Sequence, residues 1–375
     1  MRTALFDLVN LNRPSARAFE LTRSSGAQYV RLMARWSSIA PDSPSDPADP
    51  TSPGYSWDAL DATVEAAEGA GLTPILDIGS TPKWAYATLP SGVNAGTPKT
   101  AALGQFATAL ATHYDGSVAG APVASIFEVW NEPNLSLDLA PAKAGSYRKM
   151  VNAVAASVHA VDSRNLVVAG ELDPFGHRKS KRQKWYSVRP LAFMRSLLCL
   201  SKGAHPHTVC DKQVHFDVWS HHPYTFGGPF GHAQLTDDVS LGDLPEMRSL
   251  LQAAARLHRV VSPRPVQFWV TEFGWDSNPP RRHAAPMGLA ARWTAESLYS
   301  AWRSGVSLLT WFGLEDQKSP SPYQSGLYFH SRSLQNPRTI SSIDVVRRVN
   351  VMSRASIPAV MIATRSSPPI IWFSD

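Results

Sequence analysis

Eight short runs rich in Val, Ile, Leu and aromatic residues recur along the 375 residues, with longer amphipathic stretches between them. They read TALFDL (3–8), QYVRLM (28–33), TPILDI (73–78), SIFEVW (125–130), NLVVAG (165–170), HFDVWS (215–220), VQFWVT (266–271) and VSLLTW (306–311). Several are almost continuously apolar, as strands covered on both faces must be. Strands alternating with helices predict βα units around a parallel sheet, and eight units predict a (β/α)8 barrel, an α/β fold that holds a chain of this length as one domain. The clearest helix pattern is WDALDATVEAAEGAG from Trp57, in which Leu60, Val64 and Ala67 share a face and Gly69 and Gly71 supply the stop. Others start near Lys99, Ala142, Leu244 and Leu289, while the proline-rich DSPSDPADPTSPG from Asp42 predicts a long loop after the second strand. The barrel is expected over residues 1–330. After Gly326 the pattern weakens, and SIDVVRRVNVM, within a C-terminal segment of residues 331–375, is the candidate for the last barrel helix.

Barrels place their sites at the carboxyl ends of the strands, so polar residues there carry the most information. The fourth run leads directly into Asn131, Glu132, Pro133 and Asn134, and the seventh into Glu272, Phe273 and Gly274. Two glutamates at matching depth suit glycosidic cleavage with retention. That reaction needs one protonated carboxyl to assist the leaving oxygen and one carboxylate to attack the anomeric carbon, about 5–5.5 Å apart. Glu132 is read as the general acid/base and Glu272 as the nucleophile, whose negative charge raises the pKa of Glu132. Asn131 is positioned to bind a sugar 2-hydroxyl. The fifth run ends in Gly170, Glu171, Leu172 and Asp173, and Glu171 is expected to bind another sugar hydroxyl, with Asp173 ranked behind it.

The formal charge of +6 and pI near 9.3 could indicate an acidic partner, but the basic residues are scattered. The one run, HRKSKRQK at 177–184, reads as a solvated loop, and no nucleic-acid partner is expected. No window approaches the ~20 apolar residues of a membrane span, and MRTALFDLVN lacks the basic-then-apolar layout of a secretory signal. Cys199 and Cys210 bracket a short polar loop that a disulfide would close easily, two free thiols being the alternative. A bridge would point to an extracellular or cell-envelope location, with the sequence beginning downstream of the true start. The twelve tryptophans suit stacking on sugar rings and core packing equally.

WNEPN from Trp130 and TEFGW from Thr271 resemble the acid/base and nucleophile signatures of clan A glycoside hydrolases, the group that includes the cellulase family and xylosidase-like families. The resemblance extends from about the first strand to the eighth. It implies that Arg31, in GAQYVRLMARW, supports the nucleophile by hydrogen bonding, and that His222 and Tyr224, in HHPY, are site residues, the tyrosine donating to the nucleophile. It also implies that Trp311 is a platform beneath the sugar. GSTPKWA after the third strand departs from the histidine-bearing pattern of many cellulases and shifts the resemblance toward xylosidase-like members, with Trp84 supplying part of the contact surface. The implied partner is a carbohydrate, and the implied reaction is double-displacement hydrolysis of a β-linked glycoside or polysaccharide, with no metal and no organic cofactor. Two alternatives remain open: transglycosylation through the same covalent intermediate, and a carbohydrate-binding barrel without turnover. A metal-dependent hydrolase is disfavoured, because the adjacent His221 and His222 point to opposite faces of a strand.

Overall fold

The computed structural model describes residues 1–91, 95–180, 183–318, 321, 323–340 and 342–352. Eight parallel strands form a closed barrel: β1 (Arg2–Phe6), β2 (Tyr29–Arg35), β3 (Thr73–Gly79), β4 (Ile126–Val129), β5 (Leu166–Leu172), β6 (Val218–His221), β7 (Gln267–Phe273) and β8 (Leu308–Phe312). Spatial order follows chain order, and β8 closes on β1 in a register running from Arg2↔Leu308 to Phe6↔Phe312. The helices between strands are α1 (Ala16–Ser24), α2 (Asp58–Gly69), α3 (Thr100–His113), α4 (Ala144–Val161), α5 (Pro190–Leu198), α6 (Leu244–Arg256) and α7 (Met287–Arg303), with α8 (Ser342–Met352) last. The (β/α)8 architecture and all eight strand runs are therefore present.

Two helices were not legible as patterns: α1 and α5, each nine residues long. Two turns offer too few repeats for an amphipathic period to stand out. Local signals fix them instead. The Ser15 hydroxyl accepts from the Ala18 amide at the start of α1, and Pro190 occupies the first turn of α5, where its missing N–H costs nothing. The sixth run also begins later than its apolar pattern suggests. Val214–His215 pairs with Val260–Val261 outside the barrel, and the buried Asp217 interrupts the run by accepting the Val167 amide and the Ser262 hydroxyl.

Alternation along the strands sorts the barrel interior into layers. Ala4, Ile75, Ile126, Val168, Val218, Trp269 and Leu308 form one closed apolar cluster, a residue from each of seven strands. Two positions nearer the carboxyl ends come Phe6, Asp77, Glu128, Ser220, Thr271 and Thr310, joined by Arg31 from β2. The intervening side chains, among them Leu5, Val30, Leu76, Phe127, Val167, Trp219, Val270 and Leu309, belong to the large cluster shared with the helices. Each such burial contributes roughly 1.5–3 kcal/mol, so the apolar shell stabilises the barrel while a polar layer forms inside it.

A disulfide joins Cys199, at the end of α5, to Cys210. The helix α8 coincides with SIDVVRRVNVM, and Arg347 donates from its Nε to the Ser24 carbonyl at the end of α1. Residues 353–375 of the expected C-terminal segment, and Lys181 and Arg182 of the basic run, lie outside the described residues. No helix among the described residues is long and apolar enough to cross a membrane.

Candidate active site

The backbone departs from regular strand geometry where the glutamates emerge. Trp130 (φ 75°) and Glu132 (φ 39°) follow β4 in the left-handed region, as does Glu171 (φ 51°) on β5. Non-glycine residues persist there only when neighbours over-determine the conformation. Here the Trp130 amide donates to the Ile78 carbonyl (3.0 Å) and its indole to the Asp138 carbonyl (2.9 Å). The Asn134 amide group bridges two loops, donating to the carbonyls of Asp173 and Val188 and accepting the Asp173 amide. Tyr147, from α4, donates its hydroxyl proton to the Val129 carbonyl and accepts the Gly170 amide, tying β4 to β5. Gly170 (φ 116°) must be glycine, because a Cβ there would lie 2.2 Å from the Ser220 carbonyl oxygen.

Register shifts fall at the same positions. The pairing of β5 with β6 breaks between Ala169 and Leu172, and that of β7 with β8 between Val270 and Phe273. Such bulges re-aim side chains at barrel rims. The result is a convergence of residues from seven strands on one guanidinium and two glutamates.

Arg31 is fully buried at the centre of this convergence. Its Nη1 donates to Glu272 Oε2 (3.3 Å), its Nη2 faces Asp77 (2.9 Å), Asn131 (3.1 Å) and Glu171 (3.1 Å), and its Nε donates to Glu128 Oε2. The ring of Phe6 lies 4.5 Å beneath the guanidinium carbon, a cation–π contact. Glu272 Oε1 accepts the Tyr224 hydroxyl at 2.7 Å, and Glu132 Oε1 lies 3.0 Å from His222 Nδ1. The short segment from His222 to Tyr224 thus holds both glutamates. Their carboxyls retain 17% and 14% exposure, so both open onto solvent.

Burial and mutual repulsion set the protonation pattern. Burial raises Glu132 well above the usual carboxylate range, reinforced by the charges of Asp173 and Glu272 and opposed by Arg31. Burial pushes Glu128 up to about 7 and raises Glu171 and Asp77 as well; one guanidinium cannot compensate so many carboxylates. Burial works against the charge on Arg31, but its four acidic neighbours raise its pKa further. His222 is lowered to about 3 by burial and is neutral. Its Nε2 is buried without a partner, and an orphaned N–H is costlier than an orphaned acceptor. The network therefore favours the tautomer with Nδ1–H donating to Glu132 Oε1.

Of the residues expected at the site, Arg31, Asn131, Glu132, His222, Tyr224 and Glu272 are brought together. Glu171 is not exposed to any sugar: it is fully buried, with Oε2 bound to Arg31, and lies beneath the site as part of the guanidinium's surroundings. Trp311 also departs from expectation. It is 2% exposed, points away from the interior because Thr310 and Phe312 take the inward positions, meets Phe273 edge-on and donates its indole N–H to the Ser325 carbonyl. A ring so enclosed presents no face to a sugar. Trp84 is half-buried on the loop after β3, with its indole on the Ala40 carbonyl and its ring edge-on to Trp36. His221 donates to or accepts from no site residue; its Nε2 meets the Val239 carbonyl.

Four further residues belong to the site. Asp77 and Glu128 were visible in principle, as single acids inside the apolar runs TPILDI and SIFEVW. Asp138 accepts from Asn131 Nδ2 at 3.3 Å. Tyr323, 46% exposed and edge-on to Phe312, feels the charges of Glu272, Glu132 and Asp138 and is the accessible aromatic ring that Trp311 is not. It comes from an irregular loop that carries no periodic signal. Asp77, Glu128 and Glu171 stand close enough together to chelate a cation, but the Arg31 guanidinium already places a positive charge among all three.

The model of the cellulase family, glycosyl hydrolase family 5, matches residues 6–302. The chain belongs to this family. The barrel is accordingly that of a clan A glycoside hydrolase. Among solved structures, a family 39 glycoside hydrolase from Bacteroides cellulosilyticus superposes with a TM-score of 0.61 at 17% identity, covering 98% of this chain and 66% of that one. A monomeric beta-xylosidase from Caulobacter crescentus gives 0.60 at 18% identity, covering 93% and 68%. An endo-beta-1,4-glucanase from Xanthomonas axonopodis pv. citri gives 0.58 at 14% identity, covering 95% and 100%. At these identities the likeness establishes the fold, and the chain spans about two thirds of the length of the family 39 structure and the xylosidase. No curated protein matches the chain.

Proposed function

We propose that this glycoside hydrolase is a retaining enzyme acting on β-linked glycosides, with Glu272 as nucleophile and Glu132 as general acid/base. The observation that carries the reading is the joint hold of His222 and Tyr224 on the two glutamates, with Arg31 contacting Glu272 and Asn131. In the first step Glu272 forms a bond to the anomeric carbon as the glycosidic C–O bond breaks, and the proton on Glu132 passes to the leaving oxygen. The Tyr224 hydroxyl and Arg31 fix the attacking carboxylate in place, which favours a near-attack geometry. In the second step Glu132, now ionised, takes a proton from water, whose oxygen attacks the anomeric carbon and releases Glu272. His222 is neutral and acts by orientation: donating from Nδ1 to one oxygen of Glu132 leaves the proton on the other oxygen free for the leaving group.

Asn131 is the candidate for the sugar 2-hydroxyl, since Arg31 accepts no bond and fixes the Asn131 oxygen, leaving the amide end on Asp138 as the adjustable contact. The disulfide supports export to an oxidising compartment. Incubation with a 2-fluoro β-glycoside bearing a good leaving group, followed by peptide mass mapping, tests the reading: the adduct should lie on Glu272 in the TEFGW peptide. Labelling on another residue, or none across gluco-, xylo- and manno-configured reagents, contradicts it.

A further inference from the structure

The described residues of the basic run, 177–180 and 183–184, belong to the connection between β5 and α5, on the same face of the barrel as the glutamates. Its base is sewn to the loop that carries Glu132. Ser136 donates its amide to the Tyr186 carbonyl (2.8 Å), Tyr186 returns its amide to the Ser136 hydroxyl (2.9 Å), and Val188 donates to the Asn134 carbonyl (2.8 Å). His177 and Ser187 exchange both backbone hydrogen bonds. His177 also acts on the charge of Asp173, which in turn acts on Glu132. The loop therefore walls the acid/base side of the cleft. That is the side past which the leaving part of a substrate must depart, because the proton is delivered to the leaving oxygen there.

Arg178, Lys179 and Lys184 are exposed, and among the described residues no carboxylate pairs with them. The acids near the loop's base are already engaged: Asp237 pairs with Arg195 and Lys202, and Asp238 accepts the Gly176 amide. Aromatic rings stand among the cations. Phe226, two residues beyond Tyr224, is 80% exposed and stacks on Phe175 at 5.5 Å; Lys179 lies 5.0 Å over the Tyr186 ring; Trp185 meets His177 edge-on. A surface built for solubility alone has no use for a ring as exposed as Phe226. The exposed Phe226 ring can take the apolar C–H face of a sugar, and Arg178, Lys179 and Lys184, which pair with no carboxylate among the described residues, can take its negative charge, so that together they form a combined recognition surface.

We propose that this rim binds an acidic glycan, a β-linked chain carrying carboxylate or sulfate groups on the residues beyond the cleaved bond. The proposal rests on the assignment of Glu132 as the acid/base. It is tested by affinity electrophoresis of the full chain bearing Glu272→Gln, in gels containing glucuronate-substituted xylan, cellulose sulfate or unsubstituted neutral xylan. At low salt, retardation by at least one of the two acidic polymers should exceed that by neutral xylan several-fold, and the polymer retained identifies carboxylate or sulfate as the anion. Adding R178Q, K179Q and K184Q together should abolish the difference, as should ~0.5 M salt, through screening. Adding Phe226→Ala instead should weaken retention several-fold with all cations in place. Equal retardation by acidic and neutral chains, or retention indifferent to either set of substitutions, overturns the rim as an acidic-glycan site. The failure of the underlying assignment reads differently: the protein with the native Glu272 and the three Gln substitutions should still form the 2-fluoro adduct on TEFGW, and absence of that adduct in the unsubstituted protein sinks the glycosidase reading itself.

Discussion

Inside one barrel lie two layers of opposite character, two residues apart on the same strands. The lower layer, from Ala4 to Leu308, is apolar on every contributing strand. The layer above holds Arg31, Asp77 and Glu128, with Glu171 added by the β5 bulge, and leaves one oxygen each of Asp77, Glu128, Glu171, Thr271 and Thr310 without a partner. The first layer gains free energy by excluding water. The second costs free energy, because buried carboxylates outnumber the one guanidinium, and it is tolerable only because the apolar shell surrounds it. The difference teaches where the two kinds of contact separate in this chain: the polar layer sets Arg31 against Glu272 and Asn131, while the apolar layer packs the barrel interior.

The sharpest test lies just above both layers. Glu272→Gln keeps the shape of the side chain and its contact with Tyr224, so thermal unfolding should stay within a few degrees of the parent while kcat falls by at least about a thousandfold. Glu132→Ala should behave differently: turnover of substrates with poor leaving groups should collapse, and external azide should restore turnover of those with good ones. Near-normal kcat in the first variant, or no azide rescue in the second, would remove the respective residue from its role.

Next in size is a paired comparison across the layers. Leu308→Ala, in the apolar layer, should cost about 2–5 kcal/mol of stability and leave kcat intact at a temperature where the protein is folded. Arg31→Met should cost a comparable 3–5 kcal/mol, because the carboxylates lose their counter-charge, and should also lower kcat by about a hundredfold. Chemical denaturation and steady-state kinetics on both variants decide the matter. A loss of kcat in Leu308→Ala matching that in Arg31→Met would show that the two layers do not separate.

The layers also mark what was legible from sequence. The strands were visible because burial on both faces demands continuous apolar runs, and Glu132 and Glu272 were visible because each follows such a run directly. Tyr224 and Arg31 became readable only through resemblance, and each lies within hydrogen-bond distance of Glu272. Glu171 and Trp311 were misread for one shared reason: a position at a strand end says that a side chain is near the rim, while its direction depends on bulges and alternation that sequence does not display. The bulge in β5 turns Glu171 down onto Arg31, and alternation in β8 sends Trp311 outward. Tyr323 was invisible because loop conformation, not periodicity, brings it to the cleft.

A smaller effect follows from the excess of acid in the polar layer. Glu128 titrates at about 7 in the folded chain against about 4.3 for an unfolded glutamate, so the folded state holds an extra proton between those values. Stability contributed by this group therefore falls as pH rises from about 4.3 to 7, and the cost is complete above that. Glu128→Gln preserves an acceptor for Arg31 and cannot ionise. Its unfolding free energy relative to the parent should rise across that window and level off beyond it; a difference independent of pH would show that Glu128 does not carry the proton.

The smallest expected effect reaches the chemistry from one residue further out. Asp173 acts on Glu132 through its charge, which helps keep that carboxyl protonated, and Asp173 itself titrates at about 6. Above that pH it is ionised, so Asp173→Asn removes a negative neighbour and must lower the pKa of Glu132. Because the proposed first step needs Glu132 protonated, the alkaline limb of kcat/KM should move to lower pH by a fraction of a unit, while kcat at the optimum changes little. The amide substitution leaves the backbone N–H of residue 173 on the Asn134 side chain, so the loop pairing that seats Glu132 persists. A limb that stays in place would assign the raised pKa of Glu132 to burial alone, and one that moves upward would mean that Asp173 holds the loop rather than the proton.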